Sequence, residues 1–349
     1  MRYCSLQILR GIAAWSILYY HYIQDFYQFN VSHPVARIFA SHGSLGVDIF
    51  FVLSGFVMYL SAAKTDTTAY DFFLRRVFRI VPAYWFYTIV MAISIELIPE
   101  ECDASTYSLK TFFYSLAFIP HQNPSGLGRY SLLTVGWTLQ FEMVFYTIYT
   151  IAIAISKRHA ALLCTVAVLL LSLPWPIIGR FSVPFPSYRM CEFVCGMVLA
   201  RLLSTTRSHH SQKYWSITWL TLLTIATFYV SYVSVNLSLK KMLIATFIVG
   251  ICVVGNQYLT GDSRLKRFFV GLGDCSYSTY LVHAIVTAYA LHLFGNQLGR
   301  PMEYIVLVAI SMSTYAISII SYKFVERNQT LRAIETRFLR SRHLPITET

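Results

Sequence analysis

The stretch LQILRGIAAWSILYYHYIQDF, residues 6–26, decides the fold class of this chain. It is mostly apolar over about 20 residues, which is the length of a helix that crosses a lipid bilayer. Ionisable side chains interrupt it, with Arg10 near one end and His21 near the other. Such side chains are costly in hydrocarbon, and those that occur there usually serve a function. The stretch therefore predicts a membrane-spanning helix that carries part of a functional site.

The whole chain has the composition of an integral membrane protein. Of its 349 residues, 56% are hydrophobic and only 13% are charged, whereas charged residues supply about a quarter of a soluble protein. We predict an all-α, polytopic membrane protein. A single integral domain is expected over residues 1–330, followed by a short basic cytoplasmic tail over residues 331–349.

Apolar blocks of spanning length recur along the chain and predict ten transmembrane helices. We place them at residues 5–24, 44–62, 82–99, 136–155, 160–178, 187–204, 214–234, 241–259, 275–294 and 303–323. An even number of spans puts both termini on one side. That side carries 19 of the 28 lysines and arginines and the other side carries 8. Because positive charge accumulates in cytoplasmic loops, both termini are predicted to be cytoplasmic.

Two connecting segments predict structure of their own. DFFLRRVFRIVPAYW, residues 71–85, is basic and aromatic, and Pro82 should end or kink a helix there. We expect a short interfacial helix on the cytoplasmic side. The outward loop at about 100–135 contains TFFYSLAFIP, which is too short to span and predicts a re-entrant or surface-lying piece.

The net charge of +12 and the seven cysteines have plain explanations. Basic loops that fix membrane topology account for the charge, so we predict no nucleic-acid partner. The cysteines fall mostly in or beside apolar spans and show no metal-binding spacing. We predict neither a structural disulfide nor a metal site.

Arg10 and His21 project from one face of the first helix. They are eleven residues apart, close to three helical turns and about 16 Å along the axis. A neutral imidazole can act as a general base near neutral pH. The alternative is a structural histidine that is hydrogen-bonded within the helix bundle.

Two buried carboxylates are further candidates. Asp48 opens the second span and needs a partner, for which Arg10 or a nearby tyrosine is expected. Glu142 lies inside the fourth span, five residues after Trp137, and is either paired or a proton carrier. A structural ion pair or helix cap remains an alternative reading for Asp48.

Tyr277, Tyr280 and His283 lie three residues apart and share one face of the ninth span. Such a stripe suits a sugar-facing cavity, and it equally suits a packed helix interface. At the end of the last span, Glu326 could meet the basic cluster around Arg76 as an ordering contact.

Arg75, Arg76 and Arg79 would share one face of a helix at the membrane surface. Arginine binds phosphate groups through paired hydrogen bonds, and it binds anionic lipid headgroups as well. A phosphate-bearing donor in the cytoplasm, a histidine within the membrane and an acceptor outside would together make a site for group transfer across the bilayer.

Five motifs follow one another along the chain: LRGIAAWSILYYH, GVDIFFVLSGF, RRVFRIVPAYW, WTLQFEMVFY and SYSTYLVH. In this order they resemble the motifs of the membrane acyltransferase 3 family, and the resemblance covers essentially the whole chain. The start of the chain also resembles bacterial exopolysaccharide acetyltransferases. One departure is VERN at the end of the last span, where many family members have a proline after a Glu-Lys pair.

This resemblance implies a multispanning enzyme of the bacterial inner membrane that transfers an acyl group, usually acetyl, from acyl-CoA to a glycan hydroxyl. The implied partners are acetyl-CoA, a polysaccharide or lipid-linked glycan acceptor and membrane lipids, with a homo-oligomer as an option. A glycan or lipid transporter and a non-catalytic component of a polysaccharide export complex are the alternatives. The candidate site residues are, for catalysis, His21, Arg10 and Glu142; for CoA, Arg75, Arg76 and Arg79; and for the acceptor, Asp48, Trp137, Tyr277, Tyr280 and His283.

Overall fold

The computed structural model describes residues 3–64, 67–172, 189–204, 218, 221–222, 224–225, 227, 237–259, 261–295 and 302–340. The described residues are helices and connecting loops, with no β-strand among them. Thirteen α-helices have described bounds: α1 Cys4–Tyr27, α2 Pro34–His42, α3 Leu45–Ala62, α4 Ala69–Leu97, α5 Leu109–Leu116, α6 Trp137–Ile155, α7 Ala160–Ser172, α8 Met190–Ser204, α9 Leu237–Gly255, α10 Arg264–Asp274, α11 Ser276–Phe294, α12 Met302–Ser321 and α13 Gln329–Arg340.

Five helical stretches among the described residues are long and apolar enough to cross a membrane. They are Leu45–Ala62, Ala69–Leu97, Thr134–Ile155, Leu237–Tyr258 and Met302–Leu339. The prediction of an all-α membrane protein is therefore confirmed. The count of ten spans stays a prediction, and the span placed at 214–234 lies largely outside the described residues.

The basic segment before Pro82 is not a separate helix, so that prediction was wrong. It forms the first turns of α4, which runs unbroken from Ala69 to Leu97 with Pro82 inside it. Thr68 caps the start through a reciprocal pair of hydrogen bonds with Asp71. Beside the proline, the hydroxyl of Tyr277 in α11 donates to the Ile80 carbonyl at 2.9 Å. This hydrogen bond ties α11 to α4 two residues before the proline, whereas the carbonyl that loses its helical donor at Pro82 is that of Phe78, four residues before it.

Two pairs of helices pack so closely that their glycines are required. A methyl group added at Gly55 of α3 would overlap the Phe193 carbonyl of α8, and one added at Gly273 of α10 would overlap the Gln7 carbonyl of α1. Small residues let helix backbones approach to this degree. These contacts lock α3 to α8 and α1 to α10, leaving α1 in the middle of the described bundle.

The loop between α4 and α6 is anchored at both ends. Cys102 and Leu133 are buried in the main apolar core. Between them lies α5, whose Leu109 and Phe113 side chains are exposed. An exposed apolar face fits both predicted forms, the re-entrant and the surface-lying one, so both stay predictions. The Trp85 indole holds it to α4 by donating to the Leu116 carbonyl at 2.8 Å.

The chain after the last apolar helix continues as ordered helix. A π-helical turn, Tyr322–Glu326, follows α12 and leads into α13. The Asn328 side chain accepts the Thr330 N–H at 2.8 Å and so caps α13. Phe338 of α13 lies against Phe78 of α4, with ring centroids 6.5 Å apart. The predicted boundary at residue 330 therefore falls inside α13, which packs back onto the domain.

Candidate active site along three cavities

Three cavities follow one another along α1, and we name them by their linings. The basic cavity lies between α1, α4 and the turn that leads to α13. The central cavity is lined mostly by apolar residues of α3 and α6. The histidine cavity contains His21 and residues of the α4–α6 loop.

Neighbouring cavities share wall residues, so they form a series. Arg10, Arg76 and Arg79 line both the basic and the central cavity. Val47 and Tyr280 line both the central and the histidine cavity. The sequence prediction that Arg10 and His21 face one way along α1 agrees with this order, because each opens into the series at a different level.

The basic cavity collects the predicted arginine cluster. Arg75, Arg76 and Arg79 all line it, as the helical spacing of α4 predicted. The Arg76 guanidinium donates to the Ser61 hydroxyl at 2.9 Å and lies over the Phe72 ring at 5.5 Å. Its Nε is buried without a partner in the described structure. This arrangement holds Arg76 in place and leaves donor capacity unused.

Glu326 lines the basic cavity together with the arginine cluster, as the sequence predicted, and Arg79 and Arg10 are its charged neighbours. Its hydrogen bonds come from elsewhere. It accepts them from the backbone N–H of Ser278, at 2.9 Å, and from the Ser278 hydroxyl. The first turn of α11 thus supplies the hydrogen bonds of this carboxylate, and the arginines face it across the cavity.

Glu142 and Tyr277 face the central cavity. The Glu142 carboxylate accepts hydrogen bonds from the Ser54 hydroxyl, at 2.9 Å, and from the Tyr146 hydroxyl. Apolar side chains, among them Phe50 and Leu53, cover most of the remaining wall. The central cavity therefore offers an apolar passage with one hydrogen-bonded carboxylate beside it.

Tyr280 stands at the junction of the central and histidine cavities. Its hydroxyl donates to the Val135 carbonyl at 2.8 Å and lies 2.9 Å from the Thr138 hydroxyl. Both partners belong to the segment that opens α6. The ring is therefore held in one position across the junction.

His21 lies on the wall of the histidine cavity beside a second histidine. The ring of His283 is fully buried behind it, with ring centroids 5.3 Å apart. Trp137, Gln24 and Asp103 line the same cavity. The Thr134 hydroxyl donates to Asp103 at 2.6 Å and so fixes that carboxylate near His21. The cavity offers a basic nitrogen, a nearby carboxylate and an aromatic wall.

Asp48 is paired with Arg189, so the expectation of Arg10 or a tyrosine was wrong. The Arg189 guanidinium lies 3.6 Å from the Asp48 carboxylate and 4.9 Å from the centre of the Trp137 ring. Arg10 opens into the basic and central cavities instead. Asp48 is fully buried beside a second buried carboxylate, Glu192, and lines none of the three cavities, whereas its partner Arg189 lines the histidine cavity.

Comparison with known proteins decides the family. A family model described as an acyltransferase domain matches residues 5–323, which is most of the chain. The chain belongs to the acyltransferase 3 family. The resemblance carried by the five motifs is thereby confirmed.

Named relatives of this acyltransferase 3 member act in several settings. It is 27% identical to the exopolysaccharide production protein ExoZ of Rhizobium meliloti, over 82% of this chain and 89% of the relative. It is 24% identical to the acyltransferase MdmB of Streptomyces mycarofaciens, over 92% of this chain and 89% of the relative. It is 25% identical to the putative peptidoglycan O-acetyltransferase YrhL of Bacillus subtilis, over 95% of this chain and 56% of the relative. No solved structure matches it.

The acyltransferase has cavity residues that the sequence did not identify. Asp103 comes from a loop, and Arg189 follows a stretch outside the described residues. Arg327 and Arg332 lie beyond the last apolar block and were assigned to topology alone. Tyr146 is part of the WTLQFEMVFY motif, one turn after Glu142, so its spacing could have indicated it.

Proposed function

We propose that this acyltransferase takes an acetyl group from cytoplasmic acetyl-CoA and transfers it to a hydroxyl of an extracytoplasmic or lipid-linked bacterial polysaccharide. It would lie in the inner membrane with ten spans and both termini in the cytoplasm. The observation that carries the proposal is the series of three cavities, which runs from a cluster of arginines through an apolar passage to a histidine.

The basic cavity suits the phosphates of CoA. Arginine binds phosphate through paired, charge-assisted hydrogen bonds. Arg75 and Arg79 are exposed on the cavity wall, and neither side chain makes a hydrogen bond or ion pair within the described structure. Arginines outnumber carboxylates on this wall, and the excess of positive charge favours an anionic ligand. We expect this end to face the cytoplasm, where positive charge accumulates.

The central cavity suits the pantetheine arm and the thioester. Its lining is mostly apolar, which fits a long uncharged chain, and it begins at the arginines Arg10, Arg76 and Arg79. With the phosphates held at these arginines, the arm would extend toward Tyr280 and Val47. The distance from Arg10 to His21 along α1 is about 16 Å by helical rise, so the thioester would approach His21 from the side of the central cavity.

The chemical step converts the thioester of the donor into an ester of the acceptor hydroxyl. The acceptor oxygen attacks the thioester carbonyl carbon, the C–S bond breaks, and CoA leaves as a thiolate that takes a proton. His21 would accept the hydroxyl proton as general base. In the other route, the His21 imidazole is itself acylated and then passes the acetyl group to the acceptor. Both routes use the same cavity, and both remain open.

Groups around His21 suit the acceptor side of this reaction. Asp103 places negative charge near the imidazole and would stabilise the imidazolium that forms when His21 takes a proton. Trp137 and Tyr130 give the histidine cavity an aromatic wall of the kind that packs against sugar rings. The similarity to ExoZ, an exopolysaccharide production protein, and to YrhL, a putative peptidoglycan O-acetyltransferase, supports a glycan as acceptor.

The test is the O-acetyl content of surface polysaccharide in cells that have or lack this protein. Loss of O-acetyl groups without the protein, and with His21→Ala at equal expression, is the expected result. His159→Ala is the matched control, because His159 is exposed in a turn between α6 and α7 and lines none of the cavities. It should leave acetylation unchanged.

A second arm tests the donor. Inverted membrane vesicles that contain the protein are given acetyl-labelled acetyl-CoA on the cytoplasmic face, and label is sought in glycan. Label in glycan supports the proposal. If vesicles with wild-type protein move glycan but transfer no label, the protein is a transporter and the proposal fails.

A further inference from the structure

Helix α13 and the turn before it close the basic cavity with two further arginines, Arg332 and Arg327. We infer that Arg327 and Arg332 bind the 3′-phosphate of CoA and so select a free CoA thioester over donors that lack this group. This inference rests on the proposed function, because it names a part of the donor that only CoA supplies.

The geometry of α13 makes the pair part of the cavity. The Asn328 cap fixes the start of the helix right after the π-helical turn, and Phe338 packs on Phe78 of α4. Between these anchors, Leu331 and Arg332 face the cavity that α4 lines from the other side. The helix thus forms a wall of the cavity as well as a surface feature.

The charges in the cavity are far from balanced. Six arginines line it against three carboxylates, Asp274, Glu326 and Glu335. Glu326 is already bound by Ser278. The Arg332 side chain is exposed and makes no hydrogen bond or ion pair within the described structure, and Arg327 lies over the Tyr322 ring at 5.2 Å. Clustered positive charges repel each other, so this wall is stabilised when a multiply charged anion binds.

The order of groups in CoA assigns each arginine set to a different phosphate. The thioester end must reach the central cavity, whose entrance is formed by Arg10, Arg76 and Arg79. The diphosphate follows the pantetheine arm, so it lies at this entrance. The ribose 3′-phosphate comes next, farther from the central cavity, where Arg75 on the α4 side and Arg327 and Arg332 on the opposite side line the remaining wall. A donor held on a carrier protein, or dephospho-CoA, lacks this last group.

The variants Arg332→Gln and Arg327→Gln remove one charge each from this wall. Arg337→Gln is the matched control, because Arg337 is exposed on the same helix but does not line the cavity. Binding of CoA and of dephospho-CoA to each purified protein is measured by calorimetry. Measurements are made in neutral-lipid nanodiscs and repeated in nanodiscs with anionic lipid.

Wild type and Arg337→Gln should bind CoA about 10-fold or more tightly than dephospho-CoA, since one charge-assisted phosphate contact is worth about that factor. Arg332→Gln and Arg327→Gln should each lose most of this preference through weaker CoA binding, with dephospho-CoA affinity unchanged. A preference in both variants equal to that of wild type overturns the inference and leaves the proposed function standing.

Two other results also decide the matter. If wild type binds no CoA at all, the proposed donor and this inference fall together. If the variants change only the response to anionic lipid and keep the CoA preference, the arginine pair is a site for lipid phosphate and the inference is overturned. Thermal melting of each variant checks that it is folded, and the two separate substitutions keep one informative variant if the other misfolds.

Discussion

The basic cavity and the histidine cavity lie toward opposite ends of α1, and they are built differently. Side chains at helical spacing supply most of the basic cavity, with Arg75, Arg76 and Arg79 on consecutive turns of α4. The histidine cavity combines His21 with loop residues, among them Asp103 and Tyr130. Helical spacing places side chains by rule, whereas the path of a loop depends on what it packs against.

This difference matches the demands of the two proposed substrates. A CoA donor has one fixed structure, and a rigid helical site suits it. Glycan acceptors vary, and loops on a rigid scaffold are where binding sites change most readily. The locked helix pairs at Gly55 and Gly273 provide such a scaffold. We therefore expect substitutions at the basic end to act on donor binding and those at the histidine end to act on turnover.

His21→Ala should have the largest effect. Loss of a general base costs roughly 10²–10⁴ in rate, and loss of an acylated nucleophile would cost at least as much. The measurement is acetyl transfer by purified protein in proteoliposomes, with CoA affinity measured in parallel. Because His21 lies beyond the central cavity, CoA affinity should stay within about twofold. Transfer at the wild-type rate by a folded variant would remove His21 from the chemistry.

Arg76→Ala should have the next largest effect, and it tests the basic cavity at the opposite end of α1. A lost phosphate contact should weaken CoA binding by about 10- to 150-fold. Arg76→Lys should recover only part of this, because lysine keeps the charge but cannot make paired hydrogen bonds. Calorimetry with CoA in detergent gives the three affinities. Equal values would mean that the arginines serve the lipid headgroups and that the donor binds elsewhere.

Asp103→Asn should have a smaller effect, confined to turnover. The amide keeps the shape and can still accept the hydrogen bond of Thr134, but it removes the negative charge near His21. We expect kcat to fall about 10-fold with KM for acetyl-CoA unchanged. Asp262→Asn is the control, since Asp262 is exposed and pairs with Arg267 away from the cavities. A rise in KM without a fall in kcat would contradict a positioning role for Asp103.

The smallest expected effect is the labelling of the Cys102 thiol, which bears on the topology of the chain. The side chain is buried, and burial followed by the charges of Asp103 and Glu101 raises the pKa of its thiol to about 11. Since the thiolate is the reactive form, Cys102 should label slowly from either side of the membrane.

Topology is therefore better read from cysteines introduced at exposed sites, with the native cysteines replaced by serine. Lys110→Cys on α5 and Arg337→Cys on α13 are suitable positions. With cytoplasmic termini, an impermeant reagent on intact cells should label only the first. Labelling of the second alone would invert the proposed topology.

The sequence was informative wherever an apolar block or a helical spacing defined the answer. The predicted spans 44–62 and 136–155 agree closely with α3, Leu45–Ala62, and α6, Trp137–Ile155. It was misleading at Pro82, because a proline usually ends or kinks a helix, whereas α4 continues through Pro82 to Leu97. The neighbouring helix α11 packs there, with Tyr277 bonded to the Ile80 carbonyl, and such packing leaves no local pattern.

In the candidate site too, the sequence predicted what helical spacing decides and missed what tertiary contacts decide. The arginines of α4 and the positions of Arg10 and His21 follow from spacing on one helix. The pairing of Asp48 with Arg189 joins α3 to the start of α8, about 140 residues away in sequence. The sequence marked Asp48 as needing a partner and could not say which, because several arginines met the chemical requirement. Asp103 carries no motif and becomes informative only once the loop is folded.

Tyr280 also bears on the electrical properties of the membrane. A protein entered by cavities from both faces would leak ions if the cavities joined through water. Each charge that crosses gains or loses about 2.3 kcal/mol per 100 mV of membrane potential. The Tyr280 ring, fixed by its hydrogen bonds to Val135 and Thr138, lines both cavities together with Val47. If acetyl transfer takes the proposed route, an ion would have to lose its hydration shell at this aromatic junction and a neutral acetyl group would not, so the proposed transfer would leave the membrane insulated.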